Sequence, residues 1–188
     1  MRLFIAIDLP VEIKDRIKEL VESLEETGAD LNISNVDNIH ITLKFLGEVR
    51  EGDVTSVVKI ISDITSSYDS FKTHIKGMGY FGNPKFMKVI WLGLAEGTDE
   101  TINIITELNK GLEHIRQDDH KPSPHITLAR VSSNIGREDL LSEIEKMKDV
   151  EVGEFSVNKI KLVKSVLRAG GPIYSDVETF TLGTGGSV

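Results

Sequence analysis

NIHITLKFLGEV, residues 38–49, and SPHITLARVSS, residues 123–133, contain the same tetrapeptide, HITL. The histidines that begin the two copies, His40 and His125, lie 85 positions apart (125 − 40 = 85). By composition alone, a given tetrapeptide recurs in a chain of this length in on the order of one sequence in a thousand. The recurrence therefore indicates that the chain uses this short segment twice for a common purpose.

The residue types in HITL are typical of a β-strand with one apolar face and one polar face. Side chains alternate between the two faces of a strand, so the histidine and threonine of each copy share one face. The isoleucine and leucine share the other face, where they anchor the strand in the core. Packing requires only these two apolar residues. The repeated histidine and threonine therefore favour a chemical role, although a single motif of this kind would more often be structural.

The segments around the two motifs show the same order of secondary-structure elements, again 85 positions apart. Each half reads strand, helix, HITL strand, helix and strand, from the spacing of its apolar residues. The halves cover about residues 1–80 and 86–163, and a β-hairpin with RAGG at its turn, residues 168–171, follows them. The pattern predicts a single bilobal α+β domain over residues 1–183, followed by a flexible tail at 184–188.

The composition excludes several classes of protein. The 188 residues include no cysteine, which excludes disulfides, thiolate metal sites and thiol nucleophiles. A net charge of −8 argues against a protein that coats long nucleic acids, because phosphate neutralisation supplies most of that affinity. The first apolar run is too short for a signal peptide, and no stretch approaches the ~18 apolar residues of a membrane span. We therefore expect a cytoplasmic protein without a membrane partner.

Two histidines and two threonines around one small space suit a phosphate diester. Threonine hydroxyls donate hydrogen bonds to non-bridging phosphate oxygens. A neutral histidine accepts the proton of an attacking hydroxyl, and a protonated histidine donates one to the departing oxygen. Both forms coexist near neutrality because the ordinary pKa of histidine is about 6.5. This chemistry requires no metal and no cofactor, and the residues alone do not say which histidine is the acid.

The paired motifs are similar to the HxTx motifs of the 2H phosphoesterase superfamily. Within it, MRLFIAID at residues 1–8, HITLKFLGEV at 40–49 and SPHITLAR at 123–130 resemble the RNA 2′,3′-cyclic phosphodiesterase family, formerly called 2′-5′ RNA ligases. The resemblance covers nearly the whole chain outside its last residues. It implies a bilobal, pseudo-duplicated fold in which two antiparallel sheets line a central cleft, with the helices outside.

The resemblance also implies an activity and a set of site residues. The reaction is hydrolysis of RNA 2′,3′-cyclic phosphate ends, tRNA among them, or of small cyclic nucleotides, by a monomer. The product is a 2′-phosphate, and some members also carry out reversible 2′-5′ RNA ligation. His40 carries over as the proton donor and His125 as the proton acceptor. The substrate-binding residues that carry over are Thr42, Thr127 and Arg130 for the phosphate and Phe45 for base stacking.

The positions of Phe45 and Arg130 conflict with simple strand alternation. Each lies five residues after the histidine of its motif, and an odd offset points to the opposite face. A bulge must rotate the strand before either side chain can reach the cleft. By the same alternation, Lys44 should face the cleft. We expect the cleft to be locally positive, from Arg130 together with Lys44, Lys121 or Arg168.

Three other functions remain open at the level of the sequence. The first is a module that binds a nucleotide or an RNA end without turnover. The second is a cyclic phosphodiesterase specific for ADP-ribose 1″,2″-cyclic phosphate. The third, a zinc hydrolase that uses His40 and His125, is the weakest, because two histidines without a carboxylate at a matching offset make a poor ligand set.

Overall fold

The computed structural model describes residues 1–183, and the tail predicted at 184–188 lies outside the described residues. The strands are β1 (Arg2–Asp8), β2 (Leu31–Ile33), β3 (His40–Glu48), β4 (Phe71–Asn83), β5 (Phe86–Leu94), β6 (Ile126–Val131), β7 (Glu151–Val157), β8 (Lys159–Arg168) and β9 (Gly171–Thr181). The α-helices are α1 (Val11–Glu26), α2 (Val54–Thr65), α3 (Thr98–Gly111) and α4 (Arg137–Lys146). None of these helices is long and apolar enough to cross a membrane.

The strands form one continuous antiparallel path in the order β7-β4-β5-β6-β3-β1-β8-β9, and β2 pairs with β6. The two strands that carry HITL, β3 and β6, meet in the middle of this path, where Ile41 pairs with Ile126. A four-stranded antiparallel section lies on each side of that seam. The predicted α+β fold with two antiparallel sheets is therefore confirmed, and the seam joins the two sheets edge to edge.

Each half of the sequence gives its last strand to the sheet of the other half. Strand β4 follows β3 in the chain but pairs with β5, and β8 pairs with β1. The strand order consequently has the same pattern from either end, β9-β8-β1-β3 and β7-β4-β5-β6. Because neither half completes a sheet from its own strands, we propose that residues 1–183 fold as one bilobal domain.

The helices cover one face of the sheets. A single large core cluster contains apolar residues from all four helices together with the inward residues of the strands. Burial of each such isoleucine or leucine contributes about 1.5–3 kcal/mol relative to exposure. A second, small cluster of Phe4, Ala6 and Val163 lies on the opposite face, since it alternates along β1 with the core residues Leu3 and Ile5. None of the four helices of residues 1–183 contributes a residue to this small cluster, and its face carries the polar side of the HITL motifs.

The packing of β4 on β5 leads to a stability prediction. Gly79 pairs with Trp91, and a Cβ at Gly79 would lie 2.5 Å from two atoms of the Trp91 ring. Overpacking costs about 1–3 kcal/mol, so Gly79→Ala should lower the free energy of unfolding by that amount. Gly52→Ala is the control, because no atom lies within 4 Å of its added Cβ. Urea unfolding followed by circular dichroism compares the two variants, and equal stabilities would contradict the described packing.

Candidate active site

The pairing of β3 with β6 sets the two HITL motifs side by side. Ile41 is the partner of Ile126, and both side chains are fully buried on the helix side. Within the described residues β3 and β6 share only this pair, and its antiparallel direction orients each histidine toward the threonine of the other motif. Directly opposite residues share a face. Both histidines and both threonines therefore point away from the helices, on one side of the sheet.

The same register determines the spacing of the two histidines. Positions 40 and 125 are diagonal in an antiparallel pair aligned at Ile41 and Ile126, and we expect the about 7–8 Å typical of diagonal neighbours between His40 and His125. Two imidazoles at this separation can both reach a phosphate placed between them at hydrogen-bond distances of ~3 Å. This separation is compatible with two proton-transfer groups that serve one substrate.

Both histidines make the same local hydrogen bond. The Nδ1 atom of His40 lies 2.7 Å from the carbonyl oxygen of Asn38, and Nδ1 of His125 lies 2.7 Å from that of Ser123. A carbonyl oxygen only accepts, so Nδ1 carries a proton in each ring and donates it. The other ring nitrogen, Nε2, is the atom that remains for proton transfer.

A bulge in β3 explains how Phe45 reaches this face. Thr42 and Lys44 pair with consecutive residues of β1, which leaves Leu43 as an extra residue. The strand beyond the bulge is rotated, so Phe45 shares the face of Thr42 and is 52% exposed. Lys44 instead points into the interior, where it is 2% exposed and its Nζ donates to Oδ1 of Asn109 at 2.8 Å. The expectation that Lys44 faces the cleft is therefore wrong.

Strand β6 contains the equivalent bulge. Thr127 and Ala129 pair with consecutive residues of β5, so the extra residue is Leu128, the leucine of the second motif. Leu128 and Ala129 are both buried, whereas Arg130 returns to the face of Thr127 and is exposed. Each bulge adds one residue between the histidine and the residue five positions later. Phe45 and Arg130 therefore lie on the face of the histidines in spite of their odd offsets.

A cavity of about 700 Å³, which we call the motif cavity, opens on this face. The residues of the motif strands that line it include His40, Thr42, Phe45, Thr127 and Arg130. His125 is not part of the lining, although its neighbour in the register, Thr42, is. The ring of His125 is edge-on to the ring of Phe81, with the centroids 4.9 Å apart. The structure therefore gathers five of the six expected site residues around the cavity and places the sixth beside it.

Two further walls of the motif cavity come from outside the motif strands, and the sequence singled out only one of them, the hairpin that carries Arg168. The first is β2 with the turn after it, which contributes the neutral polar residues Asn32, Ser34, Asn35 and Asn38. The second is the tip of the β8–β9 hairpin, residues 168–172, with Tyr174. Nδ2 of Asn38 donates to the carbonyl oxygen of Pro172 at 3.2 Å and so connects the two walls.

The motif cavity is positively charged. None of its lining residues is acidic, although the chain has 30 aspartates and glutamates against 22 lysines and arginines. Arg130 and Arg168 line it, and neither makes a salt bridge within residues 1–183. A cavity of this kind attracts anions in spite of the net charge of −8. The expected positive cleft is present, with Arg168 rather than Lys44 as the partner of Arg130.

Aromatic rings surround His40. The ring of Phe4 stacks on it with centroids 4.8 Å apart, and Tyr174 approaches edge-on at 5.7 Å. Burial lowers the pKa of His40, because the imidazolium form loses hydration, and the Asn38 carbonyl and the Asp8 carboxylate oppose this shift. The free protein therefore favours the neutral form of His40.

The zinc alternative requires ligands beyond the two histidines. Within the described part of the chain, no group of three or more histidine, aspartate or glutamate side chains could hold a metal ion. Nothing in this arrangement favours a zinc hydrolase over a phosphodiesterase that works with histidines alone.

Comparison with known proteins reveals close relatives along the whole chain. Residues 7–91 and 93–174 match the family model described as LigT like Phosphoesterase. An RNA 2′,3′-cyclic phosphodiesterase of Methanothermobacter thermautotrophicus is 32% identical over 187 residues, covering 97% of this chain and 99% of the relative. One from Methanocaldococcus jannaschii is 36% identical over 179 residues, covering 95% and 99%. The crystal structure of TT0787 of Thermus thermophilus superposes with a TM-score of 0.81 at 26% identity, covering 97% of this chain and 98% of that one.

The surroundings of His40 lead to a titration prediction. In the free protein, its pKa should lie below the ordinary value of 6.5, and inorganic phosphate should raise it, because a nearby anion favours the imidazolium form. NMR titration of the assigned ring protons measures both effects, with sodium chloride at equal ionic strength as the control. A pKa of 6.5 or above without phosphate, or no rise on its addition, would contradict the described environment.

Proposed function

The chain belongs to the family of LigT-like phosphoesterases, and we propose that it is a metal-independent RNA 2′,3′-cyclic phosphodiesterase that leaves a 2′-phosphate end. The observation that carries this proposal is the seam of β3 and β6, which joins the two motifs. His40, Thr42 and Thr127 line a cavity without carboxylates, and His125 directly precedes the paired Ile126. The proposal is supported by relatives of that name that align over nearly the whole length of both chains.

Hydrolysis opens the cyclic ester at its 3′ oxygen. Nε2 of His125 takes a proton from water as the water oxygen bonds to phosphorus. The bond between phosphorus and O3′ breaks as Nε2 of His40 donates its proton to O3′. The product carries a 2′-phosphate and a 3′-hydroxyl, and exchange with solvent restores both rings. An RNA 5′-hydroxyl in place of water would give a 2′-5′ linkage by the same two proton transfers.

The remaining site residues bind the substrate in this proposal. The hydroxyls of Thr42 and Thr127 donate to the two non-bridging oxygens, each beside the histidine of the other motif. The guanidinium of Arg130 adds a charge-assisted hydrogen bond to the same phosphate. The exposed ring of Phe45 provides a surface on which the terminal base stacks.

The role of His40 as proton donor depends on the bound substrate. A donor must be protonated before it reacts, whereas burial lowers the pKa of His40 in the free protein. The cyclic phosphodiester carries a negative charge, and its arrival at hydrogen-bond distance raises the pKa of the imidazole. Binding of the substrate therefore promotes protonation of His40, which then donates a proton to the leaving oxygen.

We also propose that the protein acts as a monomer in the cytoplasm. All residues assigned to the substrate come from one chain, so a second copy is not needed to complete the site. The cysteine-free composition suits a reducing compartment, where RNA ends are also found.

Removing either histidine should abolish most of the activity. His40→Ala and His125→Ala should each lower kcat on a 2′,3′-cyclic nucleotide by at least ~10²-fold, because each eliminates a proton-transfer role. The double variant should be hardly slower than either single variant, since the two residues act as a unit. Thr42→Val should cost less, because it removes only one hydrogen-bond donor. The assay is run with EDTA, which should leave the wild-type rate unchanged.

His120→Ala is the matched control for these variants. The side chain of His120 is 96% exposed, and it is not among the residues that line the motif cavity. This variant should retain the wild-type rate. Near-normal turnover by either motif variant, or loss of wild-type activity in EDTA, would refute the proposed chemistry.

A substrate with an activated leaving group separates the two histidine roles. A nitrophenolate departs with little help from an acid, so His40→Ala should recover far more activity on a nitrophenyl phosphodiester than His125→Ala. The comparison uses kcat for each variant divided by the wild-type value on the same substrate. Selective rescue of His125→Ala would show that the donor and acceptor are exchanged.

A further inference from the structure

We infer that the tip of the β8–β9 hairpin is a second phosphate-binding arm, in which Arg168 binds the phosphodiester on the 5′ side of the terminal nucleotide. This inference rests on the proposed function and deepens it. It makes an RNA end of two or more nucleotides, rather than a free cyclic nucleotide, the substrate that the cavity fits best.

The first support is the arrangement of the positive charge. Arg130 and Arg168 lie on different walls of the motif cavity, one on strand β6 and the other at the hairpin tip. Arg130, beside Thr127, serves the phosphate at the motif strands. Arg168 is therefore available to bind a second anionic group. The nearest such group in an RNA end is the phosphodiester on the 5′ side of the terminal nucleotide.

The second support is that Arg168 is available. Arg16, Arg50 and Arg137 pair with nearby acids, whereas Arg2 and Arg116 make no salt bridge within residues 1–183. Arg168 has no such partner within residues 1–183, and no acidic residue lines the cavity that it borders. The planar guanidinium suits a phosphate, to which it can donate two parallel hydrogen bonds.

The third support is that the hairpin tip is connected to the catalytic histidine. Arg168 pairs with Gly171 across the turn, and the next residue, Pro172, accepts the hydrogen bond from Nδ2 of Asn38. The backbone carbonyl of Asn38 also holds Nδ1 of His40. One residue therefore positions both the proton donor and the arm, which places Arg168 in a defined relation to the reacting phosphate.

The charge on the other side of His40 directs the RNA chain toward the arm. A smaller cavity of about 120 Å³ borders His40 there, and its lining includes Asp8, Asp37 and Asp176 with a single lysine, Lys161. Lys14 pairs with Asp8 and Lys161 with Asp8 and Asp176, so Asp37 is the one acid of this lining without a salt bridge within residues 1–183. The small cavity therefore offers no unpaired cation to a phosphate. The strand that precedes the terminal nucleotide is therefore better accommodated by the motif cavity, whose lining has two arginines and no acid.

The test compares Arg168→Ala with the wild type on substrates of different length. The substrates are adenosine 2′,3′-cyclic phosphate, its 5′-phosphorylated form, and a diadenosine dinucleotide that ends in the same cyclic phosphate. The wild type should have a higher kcat/KM on the two substrates that carry the second phosphate. Arg168→Ala should lower kcat/KM on these two by at least ~10-fold more than on the first, as expected for loss of a hydrogen bond to a charged group.

The dependence on salt gives an independent readout. For the dinucleotide, the slope of log kcat/KM against log salt concentration should become shallower by about 0.7 in Arg168→Ala, since one phosphate contact to a single strand is lost. Arg168→Lys, which keeps the positive charge but lacks the planar guanidinium, should retain most of the wild-type slope. Lys159→Ala is the charge-matched control, because Lys159 lies in the same hairpin and does not line the cavity.

The outcomes separate the inference from the function on which it rests. If the wild type hydrolyses none of the three substrates, the proposed function fails. If it hydrolyses them all and Arg168→Ala affects each one equally, or affects none, the function stands and the arm is refuted. If Lys159→Ala lowers kcat/KM on the longer substrates as much as Arg168→Ala does, the arm is also refuted. The effect would then follow from the net charge of the protein and not from a contact made by Arg168.

Discussion

The site depends on one pairing, that of Ile41 with Ile126 where β3 meets β6. Both isoleucines are fully buried, so the hydrophobic core holds this register against a slip. A shift by one residue would turn the histidine and threonine of one motif toward the helices, because side chains alternate along a strand. Burial of two apolar residues on one face therefore sets two imidazoles and two hydroxyls together on the other.

Duplication explains why the two sides of the site match. The strand order reads the same from both ends of the sheet, and each HITL strand has its bulge at the motif leucine. What differs is the surroundings of the two histidines. Phe4 and Tyr174 enclose His40, whereas His125 meets only the edge of Phe81 among the aromatic contacts within residues 1–183. Two motifs with the same sequence thus lie in different environments.

Local patterns were enough to predict the four helices and most of the strands, because alternation and helical spacing are local properties of a sequence. They did not predict β2, the division between β7 and β8, or the edge-to-edge pairing of the two motif strands. Lys44 was misplaced because a bulge depends on the register with β1, which lies some forty residues away in the chain. The polar wall around Asn32 was missed because β2 has only three residues and is held by its pairing with β6. Nor does any local pattern show that Asn38 contacts the carbonyl of Pro172. These features depend on contacts between distant segments.

The central claim is that His40 and His125 act on one phosphate. The most direct test is a crystal structure of the protein with a nucleoside 2′-phosphate, the product of the proposed reaction. The phosphate should lie between the two rings, with an oxygen at ~3 Å from Nε2 of each, while both Nδ1 atoms keep their hydrogen bonds to the backbone carbonyls. A phosphate that contacts only one histidine, or that binds outside the motif cavity, would contradict it.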